Sequence, residues 1–230
     1  MEFSLLAAAA LAVAAAWAGL RLEARLRPEI PHRRLWDVIV PSVVVGLVLG
    51  RLAAMLTGGL NPIAHPADIL VIRAGVHTGA ASTAALITAL VAARRHLLPT
   101  LDGVAPAALA GLAFWHAGCL LRRACLGTAT GLPWGMALPG SPVARHPVEL
   151  YAALLIAVGA AALLFRRRRP SAPGVVAGIA LAWASAARLV TEPIRPGIGA
   201  GPVWWYASAT LIGVAAAALA ASRRRSVPQP

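Results

Sequence analysis

The segment from residue 116 to residue 151 concentrates side chains that can do chemistry, whereas the sequence on either side of it is apolar. It holds two histidines, both cysteines, three arginines and a glutamate, interrupted by the turn-forming sequences Gly-Leu-Pro-Trp-Gly and Pro-Gly-Ser-Pro. An irregular polar loop between membrane-length segments cannot lie against lipid, because its backbone groups would lack hydrogen-bond partners. We therefore expect this segment at a water interface or in a protein-lined cavity, where it forms the rim of a site.

The arginines and histidines of the chain predict a site for a phosphate group. Guanidinium groups bind phosphate oxygens through two parallel hydrogen bonds, and a histidine can act as a general base near neutral pH. A phospholipid headgroup at the outer face of a membrane is therefore the predicted ligand, although this pattern by itself names no reaction. The side chains expected at this one depth are Arg51, Arg73, Arg122, Arg123, Arg145, Arg188, Arg195, His77, His116, His146 and Glu192.

An alternative is that these arginines only reach lipid headgroups from the ends of helices. This alternative stays open for Arg73, Arg122 and Arg123. Arg51 and Arg188 lie deeper in apolar sequence, and a charge at that depth normally faces a cavity or a partner. For these two residues we favour a functional role.

The composition predicts an all-α, polytopic membrane protein. Of the 230 residues 59% are hydrophobic, and the mean hydropathy is +0.74. A spanning helix needs about 20 apolar residues, and seven segments qualify, at roughly 4–20, 36–57, 75–93, 103–121, 147–165, 174–190 and 203–221. We predict one transmembrane domain over residues 1–230 with a short basic tail at 222–230. A signal peptide is the weaker interpretation of the first segment, because it lacks a basic n-region.

The distribution of the positive charge predicts orientation rather than nucleic-acid binding. The net charge is +13, all 21 basic residues are arginines, and 14 of them fall in clusters at residues 21–34, 94–95, 166–169 and 223–225. Arginines concentrate on the cytoplasmic side of membrane proteins. We therefore predict that the N-terminus lies outside and the C-terminus in the cytoplasm, and we expect no nucleic-acid partner.

Local signals predict where three helices begin or pair. Asp102 precedes a glycine and is the predicted N-cap of the fourth helix. Arg188 and Glu192 are four residues apart and can pair on one face of the sixth helix. Three consecutive aromatic residues from Trp204 predict an interfacial belt at the start of the seventh helix.

The sequence Arg-His-Pro-Val-Glu-Leu-Tyr at residues 145–151 resembles the Arg-His-Pro-x-x-Leu-Tyr signature of prolipoprotein diacylglyceryl transferases. The resemblance extends from Arg51 to the last helix. It implies a seven-helix enzyme of the bacterial inner membrane that moves a diacylglyceryl group from phosphatidylglycerol to the lipobox cysteine of a prolipoprotein. Further similar pieces, in the family's order, are Gly50-Arg51-Leu52, Ile72-Arg73-Ala74-Gly75, Leu132-Pro133-Trp134-Gly135 and Arg188-x-x-x-Glu192-x-x-Arg195.

The resemblance also implies roles for individual side chains and requires neither a metal nor an organic cofactor. Arg188 and Arg145, with Arg195 in an outer ring, would hold the phosphate. A histidine would assist deprotonation of the acceptor thiol, because the thiolate is the nucleophile. The predicted catalytic or orienting residues are His77, His146 and Glu192, and the predicted substrate-binding residues are Arg51, His116, Arg145, Tyr151, Arg188 and Arg195.

The chain differs from the family pattern at three positions. His116 stands where the family has a phosphate-binding arginine, and Ala124 stands where it has a glutamate. The family's histidine before Gly-Gly falls on Gly79, and His77 lies two residues earlier. Residues two positions apart on a helix point about 200° away from each other around the helix axis. His77 can therefore replace that histidine only if the chain is irregular there. A non-catalytic relative that binds phospholipid or a membrane partner is the alternative function.

Cys119 and Cys125 have three interpretations. With His116 and His146 they offer the ligand types of a zinc site, but their spacing matches no closed zinc motif. They can instead form a disulfide at the outer face or pack as small apolar side chains.

Overall fold

The computed structural model describes residues 2–26, 32–69, 75–122, 125–167, 169–196 and 203–225. Over these ranges the α-helices are α1 (Glu2–Leu26), α2 (His32–Thr57), α3 (Thr78–Ala93), α4 (Leu97–Ala117), α5 (Cys119–Arg122), α6 (Val148–Arg166), α7 (Val175–Thr191) and α8 (Val203–Arg225). Short 3-10 helices lie at Pro66–Ile69, Arg94–His96 and Glu192–Ile194. Two short strands, β1 (Met136–Ala137) and β2 (Ala144–Arg145), pair antiparallel. The predicted all-α fold class is confirmed.

Six segments of the described chain are long and apolar enough to cross a membrane. One of them, Gly79–Ala117, has 39 residues and contains most of α3, the 3-10 turn at Arg94–His96 and α4. Exposed leucine, isoleucine and valine side chains cover the long helices, as lipid-facing surfaces require. The multi-pass membrane architecture is confirmed, whereas the count of seven spans and the orientation of the termini stay predictions.

Contacts divide the chain into two compact units, one of Met1–Glu29 with Leu101–Pro230 and the other of Ile30–Thr100. The core of the first unit lies between α4, α6 and α7. Many of its residues are alanines, so the helix backbones approach closely, which is the main source of packing between helices in lipid. The buried core residues are Ala105, Leu109, Ala113, Ile156, Ala160, Leu163, Val176, Ala180 and Ala187.

The predicted start of the fourth helix was wrong. α4 begins at Leu97, and Asp102 lies inside it with only 3% of its surface exposed. The Asp102 carboxylate accepts hydrogen bonds from the backbone N–H groups of Gly174 and Ala177, both at 2.8 Å. The N–H groups at the start of a helix have no partner within it, so Asp102 caps α7 instead of its own helix. A local Asp-Gly signal therefore marked a real cap but assigned it to the wrong helix.

A buried ion pair joins the ends of α1 and α6. Nε of Arg167 donates to Oε1 of Glu23 at 2.6 Å, and the two residues are 4% and 1% exposed. Arg167 belongs to one of the arginine clusters that predict orientation, yet here it also fastens two helices. Removing either partner would leave a buried charge, which is strongly destabilising.

In the second unit, α2 and α3 pack through small residues. A Cβ added at Gly46 would lie 2.8 Å from the carbonyl oxygen of Ala81 and 2.9 Å from Cβ of Ala85. One turn further along α2, the carbonyl of Gly50 accepts a hydrogen bond from the N–H of His77 at 3.0 Å. This close approach fixes the start of α3 against α2.

The polar loop between α5 and α6 is organised by β1 and β2. Met136 pairs with Arg145, and Ala137 pairs with Ala144. Ala129 also forms an isolated bridge to Arg145. The loop is therefore folded back on itself rather than extended, and it delivers Arg145 and the following residues to the start of α6.

Candidate active site

Glu149 is the centre of a buried network of ion pairs in the first unit. It lies in the first turn of α6 and is 6% exposed. Its Oε2 is 2.5 Å from Nδ1 of His116. One terminal nitrogen of Arg188 donates to both carboxylate oxygens, at 3.2 and 3.3 Å, and Nε of Arg195 lies 3.3 Å from Oε1. Three basic side chains thus compensate one buried carboxylate, as burial of a charge requires.

Glu192 is the second carboxylate of this network. The other terminal nitrogen of Arg188 donates to Oε2 of Glu192 at 3.1 Å, which confirms the predicted pairing across one helical turn. A terminal nitrogen of Arg195 lies 3.4 and 3.5 Å from the same carboxylate. Both arginines therefore bridge both glutamates, and the four charges balance. The protonation of His116 then sets the net charge of the network.

The two arginines of the network differ in their access to a ligand. The Arg188 side chain is 9% exposed, whereas that of Arg195 is 41% exposed. Cζ of Arg188 also lies 5.6 Å from the centroid of the Tyr206 ring, within the range of a cation–π contact. Arg188 is thus held from several sides, and Arg195 presents its guanidinium group at the surface of the unit.

The polar loop docks directly beside this network. The N–H of Thr128 donates to the carbonyl of Ile194 at 2.9 Å, and the N–H of Gly127 donates to the carbonyl of His146 at 2.7 Å. The N–H of His146 in turn donates to the carbonyl of Thr128 at 3.0 Å. A Cβ at Gly127 would collide with the carbonyl oxygen of Ile194. Only glycine permits this docking, which places the loop next to Glu192–Ile194.

Arg145, His146 and Tyr151 form a second polar group on the same loop. A terminal nitrogen of Arg145 donates to the carbonyl of Gly127 at 3.3 Å, and its buried Nε makes no hydrogen bond within the described residues. Nδ1 of His146 is 3.4 Å from the Tyr151 hydroxyl, which also accepts a hydrogen bond from Nε1 of Trp134 at 2.8 Å. Arg145 therefore has hydrogen-bonding capacity that these contacts leave unused.

Cys119 and Cys125 form a disulfide, with their Cα atoms 5.6 Å apart. Of the three interpretations of these cysteines, the structure shows the disulfide, and both sulfurs are therefore unavailable to a zinc ion. The disulfide lines a cavity of about 200 Å³ together with Leu126, Met136, Pro147 and Glu149. The central carboxylate of the network thus faces space that a ligand can enter.

In the second unit, Arg51 binds backbone carbonyl groups. It is 3% exposed, Nε donates to the carbonyl of Asp68 at 3.0 Å, and a terminal nitrogen donates to the carbonyl of Gly75 at 3.0 Å. Arg51 thus ties the chain on both sides of residues 70–74 to the end of α2. Its buried position agrees with a role other than snorkelling to headgroups.

His77 caps α3 in the second unit. It precedes the helix in extended conformation, and its Nδ1 accepts a hydrogen bond from the N–H of Ala80 at 3.2 Å. The chain is therefore irregular at His77, which is the condition under which this residue can replace a histidine at position 79. The ring lies 3.4 Å from the point where a Cβ of Gly79 would be. His77 also lines an open cleft between α2 and α3 of about 570 Å³.

The structure brings together one part of the predicted site and leaves other parts separate. His116, Arg188, Glu192 and Arg195 form one network, and Arg145, His146 and Tyr151 lie on the loop docked beside it. Arg51 and His77 belong to the second unit. Arg73, Arg123 and the side chain of Arg122 lie outside the described residues.

Sequence reasoning missed Glu149 as a member of the site. It stands at a variable position of the Arg-His-Pro-x-x-Leu-Tyr signature and was assigned no role. The signal was present, because a lone carboxylate in the first turn of an apolar helix is costly unless it is paired. That cost predicts basic partners, although it does not say which ones.

The apolar helices and the buried ion network define a multi-pass membrane protein with a polar site at one end of its helices. A sequence profile of the family described as prolipoprotein diacylglyceryl transferase matches residues 2–222. The chain belongs to this family.

Individual relatives agree with this assignment. Each of the following is a phosphatidylglycerol–prolipoprotein diacylglyceryl transferase. The protein from Wolbachia pipientis wMel is 31% identical over 193 residues, covering 76% of this chain and 72% of the relative. That from Cereibacter sphaeroides ATCC 17029 is 32% identical over 209 residues, covering 77% and 70%. That from Cupriavidus necator is 33% identical over 193 residues, covering 74% and 69%.

Proposed function

We propose that this protein transfers the diacylglyceryl group of phosphatidylglycerol to the lipobox cysteine of a prolipoprotein at the outer face of the bacterial inner membrane. Family membership supports the reaction, and the names of the relatives supply both substrates. The observation on this chain that carries the proposal is the network of Arg188, Arg195, Glu149 and Glu192. A bundle that only spanned a membrane would gain nothing from three buried charges and a fourth, partly exposed one at the end of its helices.

The phosphate of the lipid is held by arginine side chains. Arg195 is the accessible member of the network, since 41% of its side chain is exposed. Arg145 contributes from the docked loop, where its Nε is without a hydrogen bond in the described part of the chain. Glu149 and Glu192 fix the planes of Arg188 and Arg195, so that the guanidinium groups need little reorganisation when charge develops on the leaving phosphate.

The acceptor thiol loses its proton to a histidine before it attacks. The thiolate is the nucleophilic form of cysteine, and histidine accepts protons near neutral pH. His77 and His146 are the candidates that the sequence supplies. His146 is the histidine of the Arg-His-Pro signature, whereas His77 lies two residues before the position of the other family histidine. No step of this reaction requires a metal or an organic cofactor.

Transfer by the purified protein tests this function. The protein in phosphatidylglycerol vesicles is incubated with a synthetic lipobox peptide, and mass spectrometry follows the diacylglyceryl peptide and the released glycerol phosphate. We expect both products in equal amounts. Vesicles of phosphatidylcholine and a peptide with serine in place of the lipobox cysteine are the controls, and both should give no product.

The same experiment separates an enzyme from a non-catalytic relative. Binding of phosphatidylglycerol without either product would support the non-catalytic alternative. Restored lipoprotein modification in cells depleted of their own transferase would support the enzyme. Absence of both binding and transfer would refute the proposed function.

A further inference from the structure

His116 is held by a carboxylate. Its Nδ1 is 2.5 Å from Oε2 of Glu149, and its side chain is 14% exposed. An ionised carboxylate has no hydrogen to donate, so Nδ1 of His116 carries a proton, and in the neutral ring Nε2 keeps its lone pair. No residue in the described part of the chain forms a hydrogen bond to Nε2. This nitrogen is therefore ready to accept a proton.

His77 has the opposite arrangement. Its Nδ1 accepts a hydrogen bond from the N–H of Ala80, so in the neutral ring the proton lies on Nε2. His77 can take up a second proton only if it gives up the cap of α3.

His146 has a weaker partner than His116. Its Nδ1 is 3.4 Å from the hydroxyl of Tyr151, a long contact with a neutral group that can donate or accept. Among these three histidines, only His116 contacts a carboxylate within the residues that the structure describes. The carboxylate both fixes the tautomer and stabilises the imidazolium that forms, as in other carboxylate–histidine pairs that serve as bases.

We propose that His116 accepts the proton of the acceptor thiol and that Glu149 is a positioning residue that holds the His116 ring. This inference rests on the proposed transferase function and changes the role predicted for His116, which the sequence assigned to substrate binding. It also gives a role to Glu149, to which the sequence assigned none.

The charge of the network suits this role. The two arginines balance the two glutamates, so the network is neutral while His116 is neutral. A proton on His116 adds one positive charge at the moment when the leaving phosphate gains negative charge. Preorganised positive charge near such a group stabilises the transition state. The arginines thus bind the lipid with a fixed charge. The proton on His116 adds positive charge only while the leaving phosphate gains negative charge.

The step balances without a further reactant. The S–H bond of the peptide cysteine breaks, and its proton moves to Nε2 of His116. The thiolate sulfur attacks the glycerol carbon that carries the phosphate ester, so that an S–C bond forms and the C–O bond breaks. The electron pair of that bond leaves on the oxygen of glycerol phosphate. The imidazolium then returns its proton to the released phosphate or to water.

Substitution of His116 separates proton transfer from phosphate binding. Loss of a general base costs about 10²- to 10⁴-fold in rate, so we expect His116→Gln to lose at least about 100-fold in kcat, with little change in KM for phosphatidylglycerol. His116→Arg supplies a phosphate-binding side chain but no base, and we expect it to be as inactive. His96→Gln, which changes an exposed histidine outside the site, should match the parent. Activity of His116→Arg near that of the parent would overturn the inference, as would a rise in KM with kcat unchanged in His116→Gln.

A measurement without turnover distinguishes failure of this inference from failure of the proposed function. The lipobox peptide is bound to the protein in phosphatidylcholine vesicles, and the alkylation of its thiol by iodoacetamide is timed. We expect the parent to accelerate alkylation and His116→Gln to lose that acceleration, even if neither transfers lipid. Equal alkylation by the parent and His116→Gln would refute the role of His116. No acceleration by the parent over the free peptide would also refute the role of His116, whether or not the variant folds.

Glu149→Gln tests the positioning residue. Glutamine keeps an oxygen that can accept from Nδ1 but loses the charge that stabilises the imidazolium. We expect a lower kcat, and the acid limb of the pH–rate profile should move to lower pH. Among the described residues, the other charged groups that face this pair are Arg188, Glu192 and Arg195, and all three are unchanged in the variant. If the pH–rate profile of Glu149→Gln does not move and only the midpoint of thermal unfolding falls, Glu149 has a structural role and not a positioning role.

Discussion

Replacing Arg188 by lysine tests whether the planar guanidinium group, rather than positive charge alone, is needed. Arg188 donates to Glu149 through one terminal nitrogen and to Glu192 through the other. Lysine has a single ammonium group and cannot span both carboxylates in this way. We therefore expect Arg188→Lys to keep one ion pair and to lose the other.

The loss of one of the two ion pairs sets the expected fall in kcat/KM for Arg188→Lys. A hydrogen bond to a charged group is worth about 1.5–3 kcal/mol. If this stabilisation is lost in the transition state, kcat/KM falls by roughly 10- to 160-fold. The exposed Arg94 offers a matched control, because Arg94→Lys makes the same change outside the network. Glu192→Gln should show a milder defect than Arg188→Lys, since it keeps a hydrogen-bond acceptor.

The assay measures kcat/KM for transfer to the lipobox peptide in phosphatidylglycerol vesicles, together with expression and thermal unfolding. Normal insertion with reduced transfer is the expected result. A kcat/KM of Arg188→Lys within about threefold of the parent value is a difference below 1 kcal/mol. That result would show that Arg188 is not part of the site and that it only reaches the lipid headgroups. If the parent transfers no lipid, binding of phosphatidylglycerol is compared instead. Parent-like binding by Arg188→Lys would then refute the need for the planar guanidinium group.

Three further predictions concern topology, loop docking and the disulfide. A reporter fused after α8 should be cytoplasmic and one inserted at residues 127–141 should be outside, because of the asymmetry of the arginines; the reverse result would put the site in the wrong leaflet. Gly127→Ala should abolish most transfer while helix content is kept, because its Cβ would collide with Ile194. Gly131→Ala is the control and should be neutral, because the space around Gly131 is open. Equal activity of the two variants would exclude a role for loop docking. Serine at both Cys119 and Cys125 should lower the free energy of unfolding by about 2 kcal/mol, the loop-closure value for a separation of 6 residues; an unchanged denaturant midpoint would contradict it.

The sequence by itself determined the membrane architecture. Hydropathy adds up along a segment, so a run of apolar residues identifies a membrane-length helix without knowledge of its neighbours. The Arg188–Glu192 pair was also predictable, because residues four apart on a helix meet whatever surrounds them. Ordered motifs such as Arg-His-Pro-x-x-Leu-Tyr identified the family for the same reason, since they are read from the chain directly.

Only the tertiary structure decided the partners of side chains that are distant in sequence. Glu149 meets His116 from 33 residues away and Arg188 from 39 residues away. Asp102 accepts a hydrogen bond from Gly174, the N-cap of α7, which lies 72 residues later. A residue type fixes which groups a side chain can bind, but helix packing fixes which of them it reaches. Glu149 had no assigned role in the sequence because its partners lie on other helices, and it became the centre of the site once α4, α6 and α7 were packed together.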